Sequence, residues 1–198
     1  MTTEFGRQFW EGHWQDRPAG HTLPAHPALE AELSTLTPGS ALDAGAGEGA
    51  EAAWLAAHGW EVTAVDISAH ALLRAAAQPD AGSVRWVAAD ITEWEPATSF
   101  DLVTTFYAHP AMPQDAFYAR ISLWVAPGGT LLIVGHDHNR AHRDGHPDDA
   151  VTAPERVRRV LAVADWEVRT AETRPRTVPR PAGGQRVLDD VIVTAVRR

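Results

Sequence analysis

Short apolar runs alternate along the chain with longer stretches in which apolar residues recur every three or four positions. Ser40-Ala-Leu-Asp43, Glu61-Val-Thr-Ala-Val-Asp66, Val84-Arg-Trp-Val-Ala88, Phe100–Phe106 and Thr130–Gly135 read as strands. The last of these is apolar throughout, as expected of a strand covered on both faces. Residues 50–58 have strong helix propensity and stop at Gly59, a C-cap residue. Ser68 is an N-cap for a helix through Gln78, which Pro79 ends. Residues 114–125 predict a helix stopping before Pro127-Gly128-Gly129, and Pro154 opens another to about Val163. Trp166–Thr173 and Val187–Val196 are the last strands, with 174–186 as a long hairpin-like loop. Residues 1–38 form an aromatic, helical lead-in in which Ala28, Leu29, Leu33 and Leu36 recur at helical spacing.

The predicted order is α-β-α-β-α-β-β-α-β-α-β-β, with one short or missing helix between Ile91 and Ser99. Strands alternating with helices predict an α/β fold, a seven-stranded, mostly parallel sheet with helices on both faces. The closing strand pair has no helix between its members, so the last strand is expected to be antiparallel. One domain covers 1–198, with 1–38 as an N-terminal helical lid and 39–198 as the core.

Composition narrows the chemistry. The 198 residues, 44% hydrophobic, suffice for a core without staples. There is no cysteine, so a disulfide scaffold, a thiolate metal site and a cysteine nucleophile are excluded. All 17 basic residues are Arg, which removes any Schiff-base lysine, and against 26 acidic residues they leave a net charge of −9. That balance opposes nucleic-acid binding. Six Arg and two Asp fall in 174–198, a basic tail read as a solvated edge. The N-terminus has no apolar leader and no run of about 20 apolar residues occurs. The expectation is a cytoplasmic protein, monomer or homodimer, with no membrane or nucleic-acid partner.

The candidate chemistry centres on Asp43-Ala44-Gly45-Ala46-Gly47-Glu48-Gly49-Ala50. A glycine loop between strand and helix lets backbone approach a ligand closely. Gly45, Gly47 and Ala50 also satisfy a dinucleotide pattern. Asp43, Asp66 and Asp90 fall at the carboxyl ends of three successive strands, where open α/β sheets bind ligands. Asp66 is placed to accept from ribose hydroxyls, which suits NAD and S-adenosylmethionine alike. Asp43 separates the two, because a carboxylate beside the loop repels a pyrophosphate but suits an ammonium and a sulfonium. Asp90 is placed to accept from an adenine amino group.

These segments resemble the class I S-adenosylmethionine-dependent methyltransferases. Asp43-x-Gly45-x-Gly47-x-Gly49 is similar to their first motif, Val65-Asp66-Ile67-Ser68 to the second, Ala89-Asp90-Ile91 to the third and Phe100-Asp101-Leu102-Val103 to the fourth. The resemblance covers about residues 38–198 and implies a Rossmann-like fold. By it, Asp43, Gly45, Ala46 and Gly47 hold the methionine moiety, Asp66 the ribose, Ile67 packs on adenine, and Asp90 with Ile91 holds its far edge. Phe106 lies near the transferring methyl.

Phe9-Trp10-Glu11-Gly12-His13-Trp14 resembles the segment preceding the core in thiopurine and tellurite-resistance-type methyltransferases. Trp10 and Trp14 share a helical face. They are read either as a helix stapled to the core or as a lid with indoles near the sulfonium. The resemblance implies a small-molecule methyl acceptor, S-adenosylmethionine as cofactor and S-adenosylhomocysteine as its product. His109 and Tyr107, after the fourth strand, are the candidate catalytic residues, His109 first because histidine titrates near neutrality. Four His between 136 and 146 invite a metal, but the interleaved Arg140 and Arg143 oppose a cation, so no metal site is expected. Arg174, Arg176 and Arg180 are read as a solvated loop, with a substrate carboxylate as the alternative partner. The rival functions are an S-adenosylmethionine-binding protein without methyl transfer and an NAD-dependent oxidoreductase.

Overall fold

A computed structural model describes residues 5–17, 24–137, 151–162, 165–179 and 183–198. Its helices are α1 (Arg7–Gln15), α2 (Ala28–Leu33), α3 (Ala50–Ala57), α4 (Ala69–Ala76), α5 (Gln114–Ser122) and α6 (Pro154–Leu161). The strands are β1 (Ser40–Ala44), β2 (Glu61–Asp66), β3 (Arg85–Ala88), β4 (Phe100–Phe106), β5 (Val125–Asp137), β6 (Val151–Thr152), β7 (Trp166–Pro179) and β8 (Gln185–Arg197). One sheet runs β3-β2-β1-β4-β5-β8-β7. Every pairing from β3 to β5 is parallel, and β8 is antiparallel to both β5 and β7. The expected seven-stranded sheet with its antiparallel last strand is therefore present, with the two-residue β6 added beside β5.

Alternate residues of the central strands feed two cores. Leu42, Val103, Leu131 and Ile133 pack with Phe117 and Ile121 of α5 and with Val157 and Leu161 of α6. Ala41, Leu102, Leu132 and Val134 pack with Leu29 and Leu33 of α2 and Leu55 of α3. This period of two is what a parallel strand buried on both faces requires.

Three expectations change in detail. The helix read over 114–125 ends at Ser122, and β5 begins at Val125, before the Pro-Gly-Gly turn rather than after it. Residues 174–186 are not a long loop. The hairpin ladder runs on to Pro179 opposite Gln185, because Pro175 and Pro179 sit on the edge strand, where a missing N–H leaves no ladder bond unmade. Between Ile91 and Ser99 the missing helix is replaced by a turn: Asp90 Oδ1 accepts from the Thr92 backbone and hydroxyl at 2.9 and 2.7 Å. Residues 138–146 of the His-rich run, Arg180 and the helix end at Val163 lie outside the described residues.

β1 and β4 are neighbours, yet β1 leads outward to β2 and β4 leads to β5 on the other side. Their carboxyl ends therefore open a crevice at the point where the connections diverge, the ligand-binding place of open α/β sheets.

Candidate functional site

The glycine loop after β1 turns on three left-handed residues, Gly45, Gly47 and Gly49, with φ of 81°, 51° and 76°. The Gly45 and Ala46 amides donate to the Val65 carbonyl at 2.8 and 3.0 Å, pinning the loop to the end of β2. A Cβ built on Gly45 would stand 2.4 Å from the Ala108 Cβ, and one on Gly47 would stand 3.0 Å from the Trp14 ring. The cradle is thus walled by the turn after β4 and roofed by α1.

Three carboxylates face this loop. Asp43 is 1% exposed. Its Oδ1 accepts from the Thr104 hydroxyl at 3.1 Å, and its Oδ2 is buried without a hydrogen-bond partner among the described residues. Burial, with Glu51 and Asp66 nearby, pushes this carboxyl up to about 8. Asp66 accepts from the Gly47 amide at 2.8 Å and the Ser68 amide at 2.9 Å, and burial raises it as well. Glu51, at the start of α3, accepts from the His26 amide at 3.1 Å and is likewise raised by burial. Asp43 and Asp66 are raised with no cation acting on either, the signature of a place that a cation would stabilise. Sequence reasoning missed Glu51, which reads as an ordinary first-turn helix residue.

The other predicted residues fall around this centre. Phe106 is buried at the end of β4, with its ring 5.7 Å from that of His26. Ile67 is half-buried, and its carbonyl accepts from Arg7 at 2.6 Å. Asp90 lies beyond β3, with Oδ1 committed to Thr92, and the Ile91 side chain packs into the α5–α6 core. His109 Nδ1 lies 3.5 Å from Gln114 Oε1. The Tyr107 hydroxyl donates to Asp190 at 2.6 Å and accepts from Arg176 at 3.0 Å. Burial and the adjacent Asp190 push this phenol well above its usual range.

No residue of α1 is buried; polar and aromatic contacts hold the helix. Trp10 Nε1 donates to the His109 carbonyl at 3.2 Å. Glu11 accepts from the Ser68 hydroxyl at 2.8 Å and the Ala69 amide at 2.9 Å, capping α4 directly after Asp66. The Glu11 anchors follow Ile67, and the Trp10 anchor lies on the turn that follows Phe106. Of the His-rich run, His136 stacks on Tyr107 with centroids 4.4 Å apart, and Asp137 accepts from Thr173. Among the described residues, no helix is long and apolar enough to cross a membrane.

Residues 41–129 match a family described as Methyltransferase domain. Uncharacterized methyltransferases of Mycobacterium tuberculosis (strain ATCC 25618 / H37Rv) and Mycobacterium bovis (strain ATCC BAA-935 / AF2122/97) are 41% identical over 95 residues, which is 47% of this chain and 48% of each relative. The chain spans about half the length of the curated relatives it matches. TehB from Haemophilus influenzae superposes with a TM-score of 0.74 at 16% identity, over 96% of this chain and 67% of that one. A protein from work on conversion of a disulfide into a thioacetal in echinomycin biosynthesis also gives 0.74, at 20% identity, over 96% and 91%. The N-methyltransferase NodS from Bradyrhizobium japonicum WM9, with S-adenosyl-L-homocysteine bound, gives 0.61 at 22% identity, over 85% and 83%. The described residues share the Rossmann-like α/β fold of these solved structures.

Proposed function

We propose that this chain, whose residues 41–129 carry a methyltransferase domain, moves a methyl group from S-adenosylmethionine to a small-molecule sulfur, oxygen or nitrogen nucleophile. The observation that carries the reading is the orphaned, buried Oδ2 of Asp43 beside the left-handed glycine cradle. A buried acceptor without a donor is costly unless a ligand supplies one. A ligand with an ammonium and a sulfonium does so, and its charge relieves the crowding among Asp43, Asp66 and Glu51. A pyrophosphate would add negative charge at the same place, which counts against the NAD reading.

In this reading, Asp43, Gly45, Ala46 and Gly47 hold the amino-acid end of the cofactor. Asp66 accepts from ribose hydroxyls with the lone pairs that Gly47 and Ser68 leave over. Ile67 packs on adenine, and Asp90 with Ile91 bounds its far side. Phe106 flanks the transferring methyl, and Trp10 and Trp14 close the site from above. Bound there, the cofactor supplies a methyl carbon already activated by the sulfonium. The protein's part is to align the nucleophile, exclude water and, for a hydroxyl acceptor, take up the released proton. His109 is the group for that proton.

Calorimetric titration with S-adenosylmethionine, S-adenosylhomocysteine and NAD tests the cofactor. Affinity on the order of micromolar for the first two, and none for NAD, is expected. Binding of NAD alone sinks the reading. Tight binding with no methyl loss to any thiol, phenol or amine supports the rival of a non-methylating binder. His109→Ala is expected to lower turnover of a hydroxyl acceptor about 100-fold or more and to leave cofactor affinity nearly unchanged. Unaltered turnover would make His109 a structural residue.

A further inference from the structure

Asp190 lies on β8, between His136 of β5 and Arg174 of β7, and is 1% exposed. A charge buried there persists only with strong partners. It has three, from three separate parts of the chain. Tyr107 donates its hydroxyl to Oδ1 at 2.6 Å. Arg176 donates Nε to Oδ2 at 2.6 Å, and His26 Nε2 lies 3.0 Å from the same oxygen. His26 Nδ1 accepts the Ala28 amide at 3.1 Å, so the imidazole proton sits on Nε2 and points at Asp190. Burial disfavours the charged form, but these three donors outweigh it and hold the carboxyl well below its usual range. The network is closed, since Arg176 also donates to the Tyr107 oxygen at 3.0 Å.

What the network holds is unusual backbone. Tyr107, with φ of 52°, is the one non-glycine residue in the left-handed region among the described residues. A bulky residue stays there only when its surroundings over-determine it. The same turn brings Ala108 against Gly45 and presents the His109 carbonyl to Trp10. Gln114 Nε2 donates to the Ala108 carbonyl at 3.0 Å from the other side. The Tyr107 ring, clamped at its hydroxyl, stacks on His136 at the end of β5.

We infer that Asp190 is a positioning residue of this site: through the Tyr107 hydroxyl it holds the left-handed turn after β4, and so sets both the wall facing Gly45 and the carbonyl that anchors α1. For its effect on cofactor binding the inference rests on the methyltransferase reading. Its effect on the Trp10 anchor does not.

The test uses the full chain labelled with ¹⁵N and follows the Trp10 indole N–H, identified by its loss in Trp10→Phe. Asp190→Asn turns an acceptor of three hydrogen bonds into a mixed group and sets an N–H against the donors of His26 and Arg176. Tyr107→Phe cuts only the link to the turn, which guards against failure of the first variant to fold. Both are expected to shift the indole resonance, speed its hydrogen exchange about tenfold and weaken S-adenosylhomocysteine binding about tenfold. Val157→Ala, on the buried face of α6, is expected to lower Tm and leave that resonance in place. An indole signal unmoved by both site variants, or moved equally by Val157→Ala, overturns the inference. Absence of S-adenosylhomocysteine binding by the parent protein overturns the cofactor reading instead, and the indole signal still decides the role of Asp190.

Discussion

Asp43→Asn is expected to stabilise the ligand-free protein above neutral pH and to weaken its hold on S-adenosylmethionine. In the folded chain burial moves the Asp43 carboxyl from its ordinary 3.8 to about 8. Between those two values the folded state keeps a proton that the unfolded state has released. Stability therefore falls as pH rises across the window, by at most about 1.4 kcal/mol per pH unit, and levels off above it. Asparagine has the shape of the protonated carboxyl and cannot ionise, so the Asp43 share of the slope should vanish, leaving that of Asp66 and Glu51. Calorimetric Tm values from pH 5 to 8.5 should differ least between the two proteins at the acidic end and diverge further in favour of Asn towards the other. A cationic ligand reverses the advantage. Near neutral pH its binding should drive the proton off Asp43, and titrations in buffers of different ionisation enthalpy should detect about one proton released. Asp43→Asn should lose that proton and about tenfold or more in affinity. Equal affinity with no linked proton would show that Asp43 faces something other than the cofactor.

That variant follows from a residue legible in the sequence, and the reason is local. Asp43, Asp66 and the glycines between them are fixed by strand–loop–helix periodicity over two dozen positions, so their placement at adjacent strand ends can be read from spacing alone. Asp190 could not be read that way. Its donors lie 14, 83 and 164 positions away, and no local period joins residues so distant. The one sequence sign was a pair of aspartates inside the apolar run Val187–Val196, where a charge must find a partner. Tyr107 was legible by position, but the partner of its hydroxyl was not, because that carboxylate arrives from β8. The hairpin was misjudged over 174–186 for a related reason: proline marks a loop unless the strand is an edge, and edge position is a property of the whole sheet. Glu11 reads as a solvated charge on an aromatic helix until α4 is docked beneath it.

Gly45→Ala should be strongly damaging to the site, and a second glycine supplies the control. Gly45 and Gly128 have nearly the same backbone, with φ of 81° and 80°. An alanine at either pays the left-handed penalty of about 1–2 kcal/mol. A Cβ at Gly128 meets nothing within 4 Å, whereas at Gly45 it stands 2.4 Å from the Ala108 Cβ. The turn carrying Ala108 cannot retreat cheaply, because Tyr107 is tied to Asp190 and the Ala108 carbonyl to Gln114. Overpacking against a fixed neighbour costs about 1–3 kcal/mol more. Urea denaturation should therefore place Gly128→Ala modestly, and Gly45→Ala well, below the parent protein, with cofactor binding lost only in the second. Ala108→Gly combined with Gly45→Ala should recover the contact part and leave the backbone part, a coupling between sites 63 positions apart in sequence. If Gly45→Ala is no worse than Gly128→Ala, the turn after β4 does not close on the cradle. The wall held through Asp190 would then stand elsewhere.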